Sequence, residues 1–184
     1  MKTLIINGSP RKQGDTVSLL NKLKEELAGE IVEISAYYDK IQPCIDCRWC
    51  WEEPRCVFKD KMDTIYDDDF DNVVIASPLY MSGLTGPLIS LASRFQVYYA
   101  AEHFLKNKIE IKKKKGGLIL VGGGDGTPTR AISYAKHMFK KMNATLDEDD
   151  IIASLHTNEL PAAQDEDAIN KVKILAHKLN GGHQ

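Results

Sequence analysis

The sequence predicts an α/β protein built on a parallel, doubly wound sheet, and three observations carry that expectation. Five short apolar runs rich in β-branched residues recur along the chain, amphipathic helical patterns fill the intervals, and small-residue loops follow three of the runs. Runs that stay apolar instead of alternating mark strands covered on both faces. Strand–helix alternation then requires covering helices and right-handed crossovers, with ligands at the carboxyl ends of the strands.

The first run is Thr3-Leu4-Ile5-Ile6-Asn7, and the helix after it shows an apolar stripe at Leu20, Leu23 and Leu27. The second is Ile31-Val32-Glu33-Ile34. Between it and the third run, Val73-Val74-Ile75-Ala76, a segment at about residues 36–70 replaces the usual crossover helix, with a short helix expected only around Met62 to Tyr66. The next stripe, Leu88, Leu91, Ala92 and Phe95, starts where Thr85 can cap and Pro87 sits in the first turn. The basic run at residues 112–115 reads as a solvated turn before the fourth run, Leu118-Ile119-Leu120-Val121. A further stripe, Ile132, Ala135, Phe139 and Met142, follows a Thr127 cap with Pro128 at the first helical position. The last pair is Ile151-Ile152-Ala153 and the stripe Ile169, Val172, Leu175 and Leu179. Neither a repeat nor a linker divides the chain, so residues 1–184 are expected to form one domain with a cysteine-containing insertion.

Composition narrows the function classes. With 43% hydrophobic and 27% charged residues the chain reads as globular, and a net charge of -2 offers no general attraction to nucleic acid or to anionic membranes. The apolar N-terminal run is too short for a signal peptide and no segment approaches a membrane span, which places the protein in the cytoplasm. All four cysteines lie between residues 44 and 56, a pattern that in a reducing compartment points to metal binding or redox chemistry.

The three loops share the ligand-binding edge of the sheet. Gly8-Ser9-Pro10-Arg11-Lys12-Gln13-Gly14-Asp15-Thr16 joins a strand to a helix start, where unpaired N–H groups and the helix dipole hold an anion. Its spacing matches neither a Walker loop nor the Gly-x-Gly-x-x-Gly dinucleotide fingerprint, so a single terminal phosphate is the fitting ligand. Ser77-Pro78-Leu79-Tyr80-Met81-Ser82-Gly83 offers an aromatic ring and a thioether to a planar ligand, with Gly83 allowing close approach. In Gly122-Gly123-Gly124-Asp125-Gly126 the backbone itself can meet a ligand edge.

With Thr16 and Thr85-Gly86-Pro87, these loops resemble the NAD(P)H-dependent FMN reductase and multimeric flavodoxin-like family over roughly residues 1–180. The resemblance implies a flavodoxin-like three-layer sandwich with strand order 2-1-3-4-5, FMN as cofactor and NAD(P)H as co-substrate. Ser9, Arg11, Thr16, Val17 and Ser18 would hold the phosphate and ribityl chain, Pro78, Leu79, Tyr80 and Met81 would pack along the ring with Gly83 beside them, and Gly123 and Gly124 would lie at its other edge. The flavin does the chemistry, so no side chain is assigned as catalytic. Implied partners are a small-molecule electron acceptor such as a quinone or a redox protein, and a homodimer or homotetramer in which the cysteine loop reaches a neighbour's flavin. Family members often carry Asn or Ser where this chain has Asp15. A carboxylate there either repels the phosphate or caps the first helix.

The spacing Cys44-x2-Cys47-x2-Cys50-x5-Cys56 resembles the motif of the iron-sulfur flavoproteins, in which cysteines ligate a [4Fe-4S] cluster. Zinc, as the core of a phosphate-ligand or protein-binding module, and cysteines that are simply reduced or redox-paired remain open on the residues alone. Trp49 and Trp51 are expected to pack under this loop, and His103, His137, His156, His177 and His183 lack ligand spacing.

Overall fold

The computed structural model describes residues 1–67, 69–106 and 109–182, so His183 lies outside the described residues. Its strands are β1 (Lys2–Asn7), β2 (Glu30–Ser35), β3 (Asn72–Pro78), β4 (Lys114–Val121), β5 (Ala144–Thr145) and β6 (Ile151–Ser154). The helices are α1 (Asp15–Glu26), α2 (Met62–Tyr66), α3 (Gly86–Ser93), α4 (Gln96–His103), α5 (Thr129–Lys141) and α6 (Glu166–Leu179). All pairings are parallel in the order β2-β1-β3-β4-β5, with β6 also on β4. This is the flavodoxin-like order that the resemblance implies.

Strand periodicity builds two cores from the same runs. Leu4, Ile6, Val73, Ile75, Leu118 and Leu120 face α2, α3, α4 and α5, whereas Ile5, Val74, Ala76, Ile119 and Val121 face α1 and α6. The fifth track of the sheet is split: β5 pairs with Lys114 and Lys115, β6 pairs from Leu118 onward, and Gly116 and Gly117 lie opposite the break. A Cβ on Gly116 would sit 3.0 Å from Phe139 Cδ1, and one on Gly117 would sit 2.7 Å from Leu175 Cδ2. Thus α5 and α6 press onto the β4 backbone from opposite faces at successive residues. The sequence expectation names only the later half of this track, because a two-residue pairing leaves no apolar run.

Two helix boundaries differ from expectation. The stripe from Leu88 to Phe95 outruns its helix, since α3 ends at Ser93 and Phe95 lies in the link before α4 begins at Gln96. Thr127 does not cap with Pro128 as the first helical residue: Pro128 itself precedes α5, and Thr127 Oγ1 shares a 2.8 Å bond with Thr129 Oγ1 and accepts a long 3.4 Å bond from Thr129 N–H. Among the described residues no helix is long and apolar enough to cross a membrane.

Candidate functional site

The three loops converge at the carboxyl edge of the sheet because each is tied to its neighbour by main-chain bonds. Gly8 N–H donates to Ala76 O at 2.7 Å, Leu79 N–H to Val121 O at 2.7 Å, and Gly122 N–H to Ser154 O at 2.9 Å. A Cβ on Gly8 would lie 2.9 Å from Leu88 Cδ2, so glycine lets the first loop turn tightly over α3. Thr85, at the start of α3, donates its hydroxyl to Gly8 O at 2.9 Å and so does not cap the helix with it. The result is a cleft of about 210 Å³ with Ser9, Arg11 and Thr16 on one wall, Pro78, Leu79 and Tyr80 on another, and Gly123 on a third.

The first turn of α1 carries no capping side chain, and its first internal bond is Ser18 N–H to Gly14 O. Its earlier N–H groups are therefore available to an anion. Buried Ser9 is committed locally, its hydroxyl bonding with Arg11 N–H and O at 3.2 Å. Val17, Ser18, Met81, Gly83 and Gly124 lie outside the cleft lining. Ser18 turns its hydroxyl back to Asp15 O at 2.7 Å. Met81 and Ser82 occupy left-handed backbone (φ 51° and 60°) in a turn closed by Tyr80 and Gly83, whose N–H groups each donate to the other's carbonyl. That turn lifts Met81 to 95% exposure beside the cleft.

Asp15 lines the cleft and does not cap α1. Its Oδ1 accepts the N–H of buried Ala162 at 2.9 Å, which fastens α1 to the segment before α6. Thr157 and Asn158 also line the cleft and were not anticipated from the sequence. Their N–H groups donate to Gly122 O and Gly123 O, and a Cβ on Gly123 would fall 2.9 Å from Asn158 Oδ1. The signal available was position: they follow the strand beside β4 on the same ligand-binding edge.

The four cysteines share a second cavity, of about 440 Å³. All are free thiols, with Cys44 and Cys47 exposed and Cys50 and Cys56 half-buried. Asp46 and Arg48 in left-handed backbone (φ 53° and 61°) turn the loop between Cys44 and Cys50, on either side of Cys47, and Cys44 N–H donates to Ser93 Oγ at 2.9 Å. Burial pushes the Cys50 thiol up, and the other three sulfurs add to that direction. Trp49 and Trp51 are not packed under the loop. Trp51 stacks on Phe104 at 3.9 Å along the cavity wall, and Trp49 stays outside it near Arg55.

Behind Cys56 lies Arg94, 1% exposed. Its Nη1 donates to Asp60 Oδ2 at 2.8 Å and to Gln42 O at 2.9 Å, and the ring of Phe58 covers the guanidinium at 5.1 Å. Nε and Nη2 are buried with no hydrogen-bond partner. Burial works against this charge, yet the Asp60 bond together with the neighbouring Tyr66, Cys56 and Asp60 groups outweighs it and holds the guanidinium proton more tightly than usual; the Tyr66 hydroxyl also donates to Arg94 O at 2.8 Å.

Among the described residues no three His, Cys, Asp or Glu side chains converge closely enough to hold one metal ion. Zinc, with bonds of about 2.3 Å, needs that convergence. Sulfurs spread around a void, with unmet cationic donors buried behind them, suit a larger anionic cluster.

The sequence model for NADPH-dependent FMN reductase matches residues 1–155. The chain belongs to that family. Its chemistry is accordingly FMN-dependent oxidoreduction. This family member is also 31% identical over 141 residues to an iron-sulfur flavoprotein of Methanocaldococcus jannaschii, covering 72% of this chain and 69% of that one. It is 35% identical over 129 residues to a second iron-sulfur flavoprotein of that organism, covering 67% of this chain and 62% of the other. Among solved structures, an FMN-dependent NADH-azoreductase from Bacillus anthracis in complex with FMN superposes with a TM-score of 0.69 at 20% identity, covering 98% of this chain and 100% of that one. An NAD(P)H:quinone oxidoreductase from Methanothermobacter marburgensis gives 0.69 at 14% identity, covering 100% and 99%. At those identities the reductase-family chain and the solved structures share a fold.

Proposed function

We propose that this protein passes reducing equivalents from NAD(P)H to a quinone-like or other electron-poor acceptor through FMN bound in the three-loop cleft. The observation that carries this reading is the junction of an uncapped α1 N-terminus with the Pro78–Tyr80 wall and the Gly123 loop around one cleft. FMN, when bound, supplies hydride acceptance and release of electrons singly or in pairs. The N–H groups of the first α1 turn, with Thr16, would hold the terminal phosphate, Ser9 would shape the turn beside it through its bonds to Asn7 and Arg11, and Arg11 would flank it from the exposed side. Pro78, Leu79 and Tyr80 would line the ring's side of the cleft. Backbone donors of the Gly123 loop favour negative charge developing at the ring edge. No side chain is required as acid or base. The assembly that goes with this reading is a homodimer or homotetramer.

A second reading is favoured by the four thiols around one cavity with unmet Arg94 donors behind them. In it Cys44, Cys47, Cys50 and Cys56 hold a four-iron, four-sulfur cluster that carries electrons between the flavin and a redox protein, in keeping with the names of the M. jannaschii relatives. The decisive experiment is an anaerobic absorbance spectrum of purified protein with FMN, iron, sulfide and zinc quantified, followed by NADH or NADPH and then benzoquinone. A two-banded flavin spectrum bleached by nicotinamide and restored by quinone supports the first reading. Broad brown absorbance bleached by dithionite supports the second, and colourless protein that refuses added FMN refutes both.

A further inference from the structure

Arg94 is the buried charge that the flavin cleft does not use. A guanidinium carries five N–H donors. Those on Nη1 are met by Asp60 and Gln42, whereas Nε and Nη2 have no partner although water cannot reach them. Buried donors without acceptors are rare in folded proteins and call for an explanation. The fold invests in holding them there. α3 stops at Ser93, so that Arg94 turns beneath the cysteine loop, and Phe58, two residues after Cys56, lies across the guanidinium. Cys44 is fastened to Ser93, the residue before Arg94. Asp60 is held in turn by the N–H groups of Gln42 and Met62, so the ion pair is rigid from both sides.

We propose that Arg94 is the charge-compensating residue of the cysteine site, its buried guanidinium charge at the wall shared with Cys56 stabilising added negative charge on an anionic iron–sulfur cluster and so raising that cluster's reduction potential. The proposal rests on the cluster reading above. Four thiolates leave an oxidised four-iron, four-sulfur cluster with net negative charge, and reduction adds one electron, supplied by dithionite in the experiment below. The extra negative charge appears beside a fixed cation in a water-poor pocket, so Arg94 stabilises the reduced state more than the oxidised one. Asp60 opposes this by cancelling part of the Arg94 charge.

The two residues therefore push the potential in opposite directions, whereas a pair too far from the cluster to act on it leaves the potential unchanged. The test is anaerobic reconstitution of the full chain with ferrous iron and sulfide, metal and sulfide quantification, and a dithionite titration followed by absorbance and electron paramagnetic resonance. Arg94→Gln is expected to lower the reduction equilibrium constant about tenfold, which is about 59 mV for one electron. Arg94→Lys is expected to recover part of that loss, because it restores the charge without the fork. Asp60→Asn, which removes the charge and keeps one of the two oxygens that accept the Gln42 and Met62 N–H groups, is expected to shift the potential upward. If Arg94→Gln does not fold, the upward shift of Asp60→Asn decides the matter alone. Wild-type protein that takes up no iron or sulfide overturns the cluster reading and this proposal together. A loaded wild type with unshifted variants, or variants shifted in the same direction, overturns the role of Arg94 and leaves the cluster reading standing.

Discussion

Replacing Asp15 separates an anchoring carboxylate from a repelling one. Its Oδ1 lies 2.9 Å from the N–H of Ala162, a fully buried residue. Asp15→Ala leaves that donor unmet, at about 1–3 kcal/mol. In a chain of this size each kcal/mol moves Tm by about 2–4 °C, so the alanine variant is expected to melt roughly 2–12 °C lower by calorimetry. Asp15→Asn keeps an oxygen acceptor and should stay within about 3 °C of the parent. For FMN the alternative is quantitatively distinct. A carboxylate facing a phosphate at about 4 Å would repel it by on the order of 4 kcal/mol at an effective dielectric of 20. Removing that charge would tighten Kd by roughly three orders of magnitude. With the carboxylate engaged by Ala162, Asp15→Asn is expected to bind FMN within about threefold of the parent, a change below about 0.7 kcal/mol in flavin-fluorescence titrations. Tightening beyond tenfold, or an alanine variant with unchanged Tm, would refute the anchoring role.

Gly117→Ala forces a Cβ to 2.7 Å from Leu175 Cδ2 and is expected to lower stability by about 1–3 kcal/mol in urea unfolding, with Leu175→Ala in the same chain returning part of the loss. Gly123→Ala meets only the movable end of Asn158, so its melting temperature should change by less than about 3 °C while FMN affinity falls as Asn158 is displaced from the cleft. Burial raises the Asp60 carboxyl, but the Arg94 hydrogen bond and the N–H groups of Gln42 and Met62 outweigh it and hold it below its ordinary 3.8. A depressed native value stabilises above the unfolded value and is lost as pH falls through the native one. The stability gap between wild type and Asp60→Asn should therefore be full at pH 5 and shrink below about pH 4 in acid titrations of unfolding.

The periodicities in the chain were enough to place both cores, since every second residue of β1, β3 and β4 serves one face or the other. The three loops were legible because glycine, proline and hydroxyl residues follow the strands directly. What stayed hidden depends on distant partners. Nothing near Asp15 announces Ala162, which is 147 residues away. The end of α3 at Ser93 cannot be seen in a stripe that runs on to Phe95, because the break answers to burial of Arg94 under a loop some fifty residues earlier. Thr157 and Asn158 carry no motif and reach the cleft only because β6 lies beside β4.

The anchoring of α3 at both ends gives the molecule a built-in ruler. Thr85 ties one end to the turn after β1 through Gly8, and Ser93 ties the other to the cysteine loop through Cys44. Between them run the eight residues Gly86–Ser93, about 12 Å of helix at 1.5 Å per residue. The gap between the two loops is thus metered in helical steps, and one inserted residue would both lengthen it by about 1.5 Å and swing the cysteine end by about 100°.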